Sequence, residues 1–442
     1  MPHPAQSPSD RPINIALLGC GTVGAEVARL IQNSAADLGE RVGAELKLTA
    51  VAVRDTSKPR PGIDPAVVTD DVMAVATSGV DILVELMGGI EPARTLILAA
   101  MAAGSSIVTA NKALLAADGS TLHEAAARFG VDLYFEASVA GAIPLLRPLR
   151  ESLTGDRVTK VLGIVNGTTN YMLTKMDEDG ADYDEVFAEA AALGYLEADP
   201  SLDVDGHDAA AKAAILAELA FHTRVTLDDV YCEGIGRVTA DDIKAAQQMG
   251  FVIKLLAVAE VNTDEQGDNR GIIVRVHPAM LPRSHPLASV RGSFNAVFIE
   301  AESAGEVMFY GRGAGGAPTA SAVLGDVVAA ARNRLSGGRG PGQSTYSNLP
   351  ILPIGAAMTR YYVNLDVTDK PGVLASIASA FADNGVSIQV VRQDGHGDDA
   401  GLLVRTHLAR DEALSRTVEQ LRNLDTVKRV VGVMRVEGEA RS

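Results

Sequence analysis

Residues 13–24, INIALLGCGTVG, run from a continuous apolar stretch straight into a glycine-rich turn that opens a helical pattern. A strand, then G-x-G-x-x-G, then a helix is the arrangement that brings main chain close to a pyrophosphate. Gly19 permits the tight turn, Gly21 the close approach and Gly24 close helix-on-strand packing. Thr22 and Val23 open the helix, whose free N–H groups and positive end favour an anion. Working outward, a helix is expected over 22–38, then LKLTAVAVRD, VDILVELMG, a helix over 92–103, SSIVTAN, a helix over 114–129, and VDLYFEAS. Apolar strands without polar alternation, separated by helices, predict a parallel sheet covered on both faces.

The fold class is therefore α/β, with a Rossmann-type doubly wound sheet over residues 13–140 behind a disordered tail over 1–12, MPHPAQSPSDRP. The texture changes over 141–318, where an Ala-rich helix (208–222) and alternating strands such as GIIVRVHPAML and FNAVFIEAE predict an inserted α+β domain for catalysis and dimerisation. A helix over 319–336 is expected to return to the nucleotide sheet. Residues 337–355, beginning GGRGPGQSTYSNL, have the composition of a flexible linker. Residues 356–442 read as βαββαβ, the order of a ferredoxin-like unit.

A chain of 442 residues is long enough for two or three domains. Its 39 Lys and Arg against 56 Asp and Glu give a net charge of −17, which repels a phosphate backbone and excludes a nucleic-acid partner. Hydrophobic residues at 47% and charged ones at 21% suit a packed protein rather than a disordered one. The two cysteines, Cys20 and Cys232, make neither a disulfide framework nor a metal cluster. The amino terminus lacks the basic start and apolar core of a signal peptide, and no run of about 18 apolar residues follows. The expectation is a cytoplasmic protein with no membrane partner.

Several polar residues stand out against this frame. The second strand ends at Val53-Arg54-Asp55, where Arg54 with Lys58 could take a 2′-phosphate and favour NADP, while Asp55 leaves NAD open. Lys58 is equally readable as surface charge. Thr109 and Lys112, in TANK, follow a strand at the carboxyl edge of the sheet, where ligands of such folds bind; a solvated lysine opening a helix is the alternative. Asp208 and Lys212 are one turn apart on an otherwise apolar helix, so they can pair. A partly desolvated lysine there could protonate an alkoxide as hydride reaches an aldehyde, or the two could be an ordinary surface ion pair. Glu197, Asp199, Asp203 and Asp205 could hold a substrate ammonium or a divalent metal, with one of them capping the helix. His207 has no second histidine at ligand spacing, so no zinc site is read.

The motifs GCGTVG, TANK, EASVAGAIP, NGTTNYML, LGYLEADPSLDVDGHDAAAKAAILA and GRGAGGAPTAS occur in that order. Together they resemble homoserine dehydrogenase in its longer monofunctional form with a C-terminal ACT domain, over nearly all of the chain from Ile13 to Glu437. The expectation is the monofunctional form, without a kinase segment before the nucleotide turn. The resemblance implies NAD(P)H-dependent, reversible reduction of L-aspartate 4-semialdehyde to L-homoserine, on the route to threonine, methionine and isoleucine. NADP(H) is the favoured cofactor with NAD(H) possible, and a homodimer or homotetramer is implied.

Residue by residue, the resemblance makes Lys212 the proton donor, Asp208 its partner, and Lys112 a bridge between nicotinamide and substrate. Glu197 is to hold the substrate ammonium, with Asp203, Asn166, Gly167 and Thr168 lining the substrate pocket. Main-chain carbonyls of Glu136, Val139, Gly141 and Ile143 are to bind Na+ or K+, and Gly313 and Gly315 to return to the nicotinamide. DKPGVLASIASAFADNGVSI is similar to the ACT effector signature, with Asp369, Gly372, Asn384 and Ile388 as contacts for L-threonine; a purely structural dimerisation role is the alternative. Two rival classes are an aldehyde dehydrogenase with a cysteine thioester, and a non-catalytic amino-acid sensor.

Overall fold

A computed structural model of the chain describes residues 9–196, 199–263, 269–342, 345–394 and 400–439. They form two compact units, one of residues up to 158 with 214–227 and 300–348, the other of residues 159–213, 228–299 and 349 onward.

In the first unit, β1 (Ser9–Leu18), β2 (Ala44–Ala52), β3 (Val68–Thr69), β4 (Ile82–Glu85), β5 (Ser106–Thr109) and β6 (Leu133–Tyr134) form a parallel sheet in the order β3-β2-β1-β4-β5-β6. The order reverses beside β1, which is where such sheets open a crevice for a dinucleotide. Every residue of β4 and β5 is buried, which is why these strands read as unbroken apolar runs.

Three local expectations differ from this geometry. β1 begins at Ser9 rather than after residue 12, because Ser9 pairs with Ala44 and Arg11 donates to Asp81 Oδ1 at 2.8 Å; polar residues carried by main-chain pairing leave no apolar signal. The helix expected over 22–38 is two, Thr22–Asn33 and Ala35–Val42, broken at Ser34. Its apolar spacing continues through the break, so periodicity alone does not reveal it. In the glycine-rich stretch 337–349, expected to be a flexible linker, two described residues are held: Gly340 N–H donates to Asp132 Oδ1 at 2.9 Å and Ser347 N–H to the His222 carbonyl at 3.0 Å. A Cβ on Gly340 would collide with Tyr134 Oη, so its glycine serves close contact rather than freedom.

The helix Gly316–Ser336 returns to this sheet, as expected for 319–336. It buries Ala320, Val323, Val327, Ala330 and Ala331 in the core that holds Ile13, Ile15, Val27 and Ile82. Alanine lets the helix approach closely, and each fully buried valine contributes about 1.5–3 kcal/mol.

The second unit is built on β7 (Val158–Ile164), β8 (Tyr231–Cys232), β9 (Phe251–Thr263), β10 (Asn269–Pro282) and β11 (Phe294–Ala301); β12 (Gly305–Arg312) then leads into the first unit. The C-terminal βαββαβ comprises β13 (Met358–Val367), helix Val373–Asp383, β14 (Ile388–Asp394), β15 (Ala400–Thr406), the short β16 (Ala409–Arg410), helix Asp411–Arg422 and β17 (Val427–Val436). Its sheet is not separate. The strands run β11-β7-β9-β10-β17-β13-β15-β14, and β17 pairs in parallel with β10 through Ala279↔Arg435 and Met280↔Val436.

A buried ion cluster lies just beyond that seam. Arg275, fully buried on β10, donates to Glu260 Oε1 and to Glu437 Oε1, each at 2.7 Å, and Lys160 Nζ reaches Glu437 Oε2 at 3.0 Å. Burial alone would raise the Glu437 carboxyl, but Lys160 and Arg275 beside it hold it well below the usual range. His277 is pushed down to about 3 by burial and by the nearby Arg435 and Arg275.

Candidate active site

The second unit gathers the polar residues of the substrate motifs into one buried network. Asp208 and Lys212 share a face of helix His207–Phe221, and the Lys212 ammonium donates to Asp208 Oδ2 and to the Val165 carbonyl, each at 2.7 Å. Lys212 is 8% exposed and Asp208 7% exposed, so this is a buried pair rather than the surface pair that spacing alone allowed. Asn166 caps helix Gly167–Asp179 by accepting from Thr169 N–H at 2.9 Å. Its amide nitrogen donates to Asp203 Oδ1 at 2.7 Å and to Asp208 Oδ2 at 2.9 Å, so one asparagine ties three of the expected residues together. Thr168 donates to the Tyr195 carbonyl at 2.8 Å, and a Cβ on Gly167 would press on the Ser293 carbonyl, which explains the glycine. Glu197 lies outside the described residues.

Two residues that sequence reasoning missed complete this wall. Asn295 donates to the same Val165 carbonyl at 2.9 Å, while its own buried Oδ1 has no hydrogen-bond partner among the described residues. Lys254 donates to Asn170 Oδ1 at 2.8 Å and to the Val290 carbonyl at 2.6 Å, and Asn170 in turn donates to the carbonyls of Gly292 and Phe294. Burial pushes the Lys254 ammonium down to about 8. Neither carries a sequence signal: Lys254 is a single cation within the apolar run 251–259.

In the first unit the glycine turn has the form its sequence requires. Gly19 has φ +97°, where a Cβ would collide with the Leu86 carbonyl, and a Cβ on Gly24 would overlap the Gly19 carbonyl. Nothing lies within 4 Å of a Cβ position on Gly21, which leaves that face of the turn open. Helix Thr22–Asn33 has Gly21 at its N-cap and no side-chain cap, so its first N–H groups remain available to an anion. These features fit a dinucleotide pyrophosphate.

Arg54 and Lys58 are both exposed, and Asp55 is turned aside, its Oδ1 accepting from Ser57 N–H at 3.0 Å and Ser57 Oγ at 2.6 Å. Arg60, which the sequence reading passed over, donates to the main-chain oxygens of Asp55 and Lys58 and lies against Cys20. At the far end of the crevice, Thr109 donates to Glu85 Oε2 at 2.6 Å, and Glu85 Oε1 accepts from the N–H groups of Met87 and Gly88. Glu85 was readable in principle, as the one acid ending an apolar strand. Lys112 opens helix Lys112–Phe129 behind the Asn111 cap and is half-buried.

The stretch carrying Glu136, Val139, Gly141 and Ile143 is buried, with Ala140 at φ +57° and Gly141 at φ +52°. The Glu136 carboxylate accepts from the N–H groups of Leu145, Leu146 and Arg147, so its side chain is engaged as a cap. Among the described residues no loop N–H or side chain donates to the carbonyls of Val139, Gly141 or Ile143. Buried acceptors without donors call for an ion or water, and oxygen donors of this kind suit a hard cation. Among the described residues, no group of three His, Cys, Asp or Glu side chains could hold a metal ion. Gly313 meets this loop: a Cβ on Gly141 would overlap the Gly313 carbonyl, and Ala142 N–H donates to the Arg312 carbonyl at 3.1 Å. Gly315, at φ +120°, starts the return helix. Beneath the loop Asp326 accepts from Glu136 N–H at 2.8 Å and pairs with Arg147, yet burial pushes its carboxyl up to about 7.

The four expected effector residues do not converge within one chain. Asp369 and Gly372 precede helix Val373–Asp383, whereas Asn384 and Ile388 follow it, roughly 16 Å away by helical rise. Asn384 is turned inward, donating to the Ala380 carbonyl at 2.9 Å and to Gln420 Oε1 at 2.8 Å. The cysteines do not suit nucleophilic work: burial raises the Cys20 thiol, and burial with Asp205 and Glu233 pushes Cys232 up to about 11. No helix among the described residues is long and apolar enough to cross a membrane.

A turn shaped for a pyrophosphate and, elsewhere, a buried ammonium fixed by a carboxylate are provisions of a nicotinamide-dependent oxidoreductase acting on CH–OH groups, and that is the class of this chain. Residues 19–136 match the homoserine dehydrogenase NAD-binding domain, 144–328 match homoserine dehydrogenase, and 361–426 match the ACT domain. The homoserine dehydrogenase of Corynebacterium glutamicum is 57% identical over 436 residues, covering 98% of each chain, and that of Mycobacterium tuberculosis is 56% identical over 97% of this chain and 98% of its own. A homoserine dehydrogenase structure from Thiobacillus denitrificans superimposes with a TM-score of 0.90 at 37% identity, covering 97% of this chain and 98% of the other. A hyperthermophilic archaeal homoserine dehydrogenase in complex with NADPH aligns at a TM-score of 0.62 and 28% identity, over 75% of this chain and 100% of its own. The chain belongs to the homoserine dehydrogenase family.

Proposed function

We propose that the protein reduces L-aspartate 4-semialdehyde reversibly to L-homoserine, with NADPH preferred and NADH accepted, in the cytoplasm and on the route to threonine, methionine and isoleucine. The observation that carries this reading is the buried Lys212 ammonium held by both Asp208 and the Val165 carbonyl. The bound nicotinamide cofactor supplies the hydride. Lys212 holds at Nζ the proton that the nascent alkoxide needs, and its positive charge stabilises that oxygen before transfer. Asp208 and Val165 fix the direction of its N–H bonds, while Asn166 keeps Asp208 and Asp203 in place. Glu197 binds the substrate ammonium, and Asp203, Gly167 and Thr168 line the pocket. Lys112 adds a cation near the nicotinamide.

The open Gly21 face, with Gly19, Thr22, Val23, Gly24, Thr109, Gly313 and Gly315, cradles the cofactor, and exposed Arg54 and Lys58 take the 2′-phosphate of NADP. The donor-free carbonyls of Val139, Gly141 and Ile143, with that of Glu136, hold Na+ or K+. L-Threonine is the effector of the ACT unit. Because Asp369 and Gly372 lie at the opposite end of a helix from Asn384 and Ile388, a complete effector site takes residues from two copies, which agrees with a homodimer or homotetramer. The test is the rate of NADPH and NADH oxidation with L-aspartate 4-semialdehyde, with and without L-threonine. Turnover suppressed by threonine supports both parts; turnover indifferent to it removes the effector, and no turnover removes the activity.

A further inference from the structure

A single buried polar side chain stands on β11: Asn295, at 1% exposure. Its strand neighbours Ala296 and Phe298 pack into the apolar core with Leu162 and Ile164, so strand alternation turns Asn295 to the opposite face, toward the substrate network.

The two ends of the side chain are engaged differently. At one end the amide nitrogen donates to the Val165 carbonyl at 2.9 Å, the same oxygen that accepts from Lys212 Nζ at 2.7 Å. A carbonyl oxygen offers two lone pairs, and with one held by Asn295 the ammonium takes the other. At the other end Oδ1 is buried without a hydrogen-bond partner among the described residues. Turning the amide over would not relieve this, because Oδ1 would then face the Val165 oxygen, acceptor against acceptor. Oδ1 looks onto the first residue of helix Gly167–Asp179: a Cβ on Gly167 would stand 3.6 Å from it, and glycine puts no side chain there. Buried polar atoms are nearly always paired, so an acceptor left open in the wall of a site is matched by a donor that the site receives.

The chemistry of the proposed substrate narrows what that donor is. In L-aspartate 4-semialdehyde the aldehyde and the carboxylate only accept, and the ammonium is the only donor group. An amide oxygen accepts from a cation without adding charge to the buried Asp203, Asp208 and Lys212. We propose that Asn295 determines specificity for the α-ammonium of the substrate: Oδ1 accepts a hydrogen bond from that ammonium, sharing it with Glu197, while the amide nitrogen keeps the Val165 carbonyl in place against Lys212. The inference rests on the reaction proposed above and adds to it the residue that distinguishes an amino aldehyde from a plain one.

The experiment compares L-aspartate 4-semialdehyde with succinate semialdehyde, the same aldehyde without the ammonium, as substrates of the full chain with NADPH. Single turnover with the enzyme in excess keeps slow reduction of the second measurable. Asn295→Leu matches the side chain in size and has neither donor nor acceptor. Loss of the bond to Val165 slows both substrates alike, so the ratio of their second-order rate constants isolates the contact with the ammonium. That ratio falls about tenfold or more, as expected for a lost hydrogen bond to a charged group, while the dissociation constant of NADPH is unchanged. Asn295→Ala, which also lacks both groups, shifts the ratio in the same direction and stands in should the leucine variant not fold. An unchanged ratio in a folded variant overturns the proposal whatever the loss in rate, because a purely structural asparagine penalises both substrates equally. A parent protein that does not reduce aspartate semialdehyde removes the proposed reaction itself, and this inference with it.

Discussion

The Lys212 ammonium and the Asp208 carboxylate meet at 2.7 Å in a part of the helix where both are more than nine-tenths buried. One helical turn brings them together, and the Val165 carbonyl and the Asn166 amide fix where each points. A cation so placed has few alternatives to its assigned direction.

Replacing Lys212 by Met keeps the length and removes the proton. We expect kcat to fall by about 10²- to 10⁴-fold, the usual yield of a positioned acid, with the affinity for NADPH unchanged. Stopped-flow measurement of NADPH oxidation checks this, and a variant turning over at the original rate would remove Lys212 from the chemistry.

Asn166→Ala removes one donor from Asp203 Oδ1 and one from Asp208 Oδ2, to which Lys212 also donates. The expected destabilisation is about 1–3 kcal/mol, and kcat drops because the pair loses its orientation. Urea denaturation reads the first effect and steady-state kinetics the second.

Arg54→Ala should raise KM for NADPH about tenfold while changing that for NADH little, as expected if Arg54 contacts a group only NADPH carries. Equal effects on the two cofactors would move 2′-phosphate recognition elsewhere, with Arg60 the next residue to test.

His123 is buried against Phe135, and burial, with Arg150 nearby, pushes its imidazole down to about 4 from 6.5. The unfolded chain therefore takes up a proton below pH 6.5 that the folded chain refuses. Stability contributed by the neutral ring is complete above that pH and is lost as pH falls toward 4, by about 2 kcal/mol at pH 5. His123→Phe should flatten this part of the stability profile between pH 7 and 5; a difference from the parent that does not change with pH would show that the histidine is not buried neutral.

Local patterns carried much of this architecture. The run into Gly19, Gly21 and Gly24 identified the first strand, its turn and the helix after it, because Gly19 takes a positive φ, Gly21 leaves its face of the turn open and Gly24 lets the helix start meet the Gly19 carbonyl. The spacing of Asp208 and Lys212 identified a pair but not its burial. What escaped the sequence is assembled over long separations: Asn166 reaches Asp203 and Asp208 across 37 and 42 residues, and Lys254 reaches Asn170 across 84. No periodicity records such contacts. The cap duty of Glu136 and the inward turn of Asn384 were hidden for the same reason, since a motif gives a residue's position in the chain and not the direction of its side chain.

Glu437, beyond the last strand, neutralises Arg275 and Lys160 on strands laid down far earlier in the chain. The boundary that composition draws before residue 356 is thus not a boundary in charge. Cut there, the upstream fragment keeps two buried cations facing Glu260 alone, and the downstream fragment carries a carboxylate made for a site it no longer has. Neither piece is electrically whole, so the C-terminal segment is a structural creditor of the sheet it adjoins as well as a separate folding pattern.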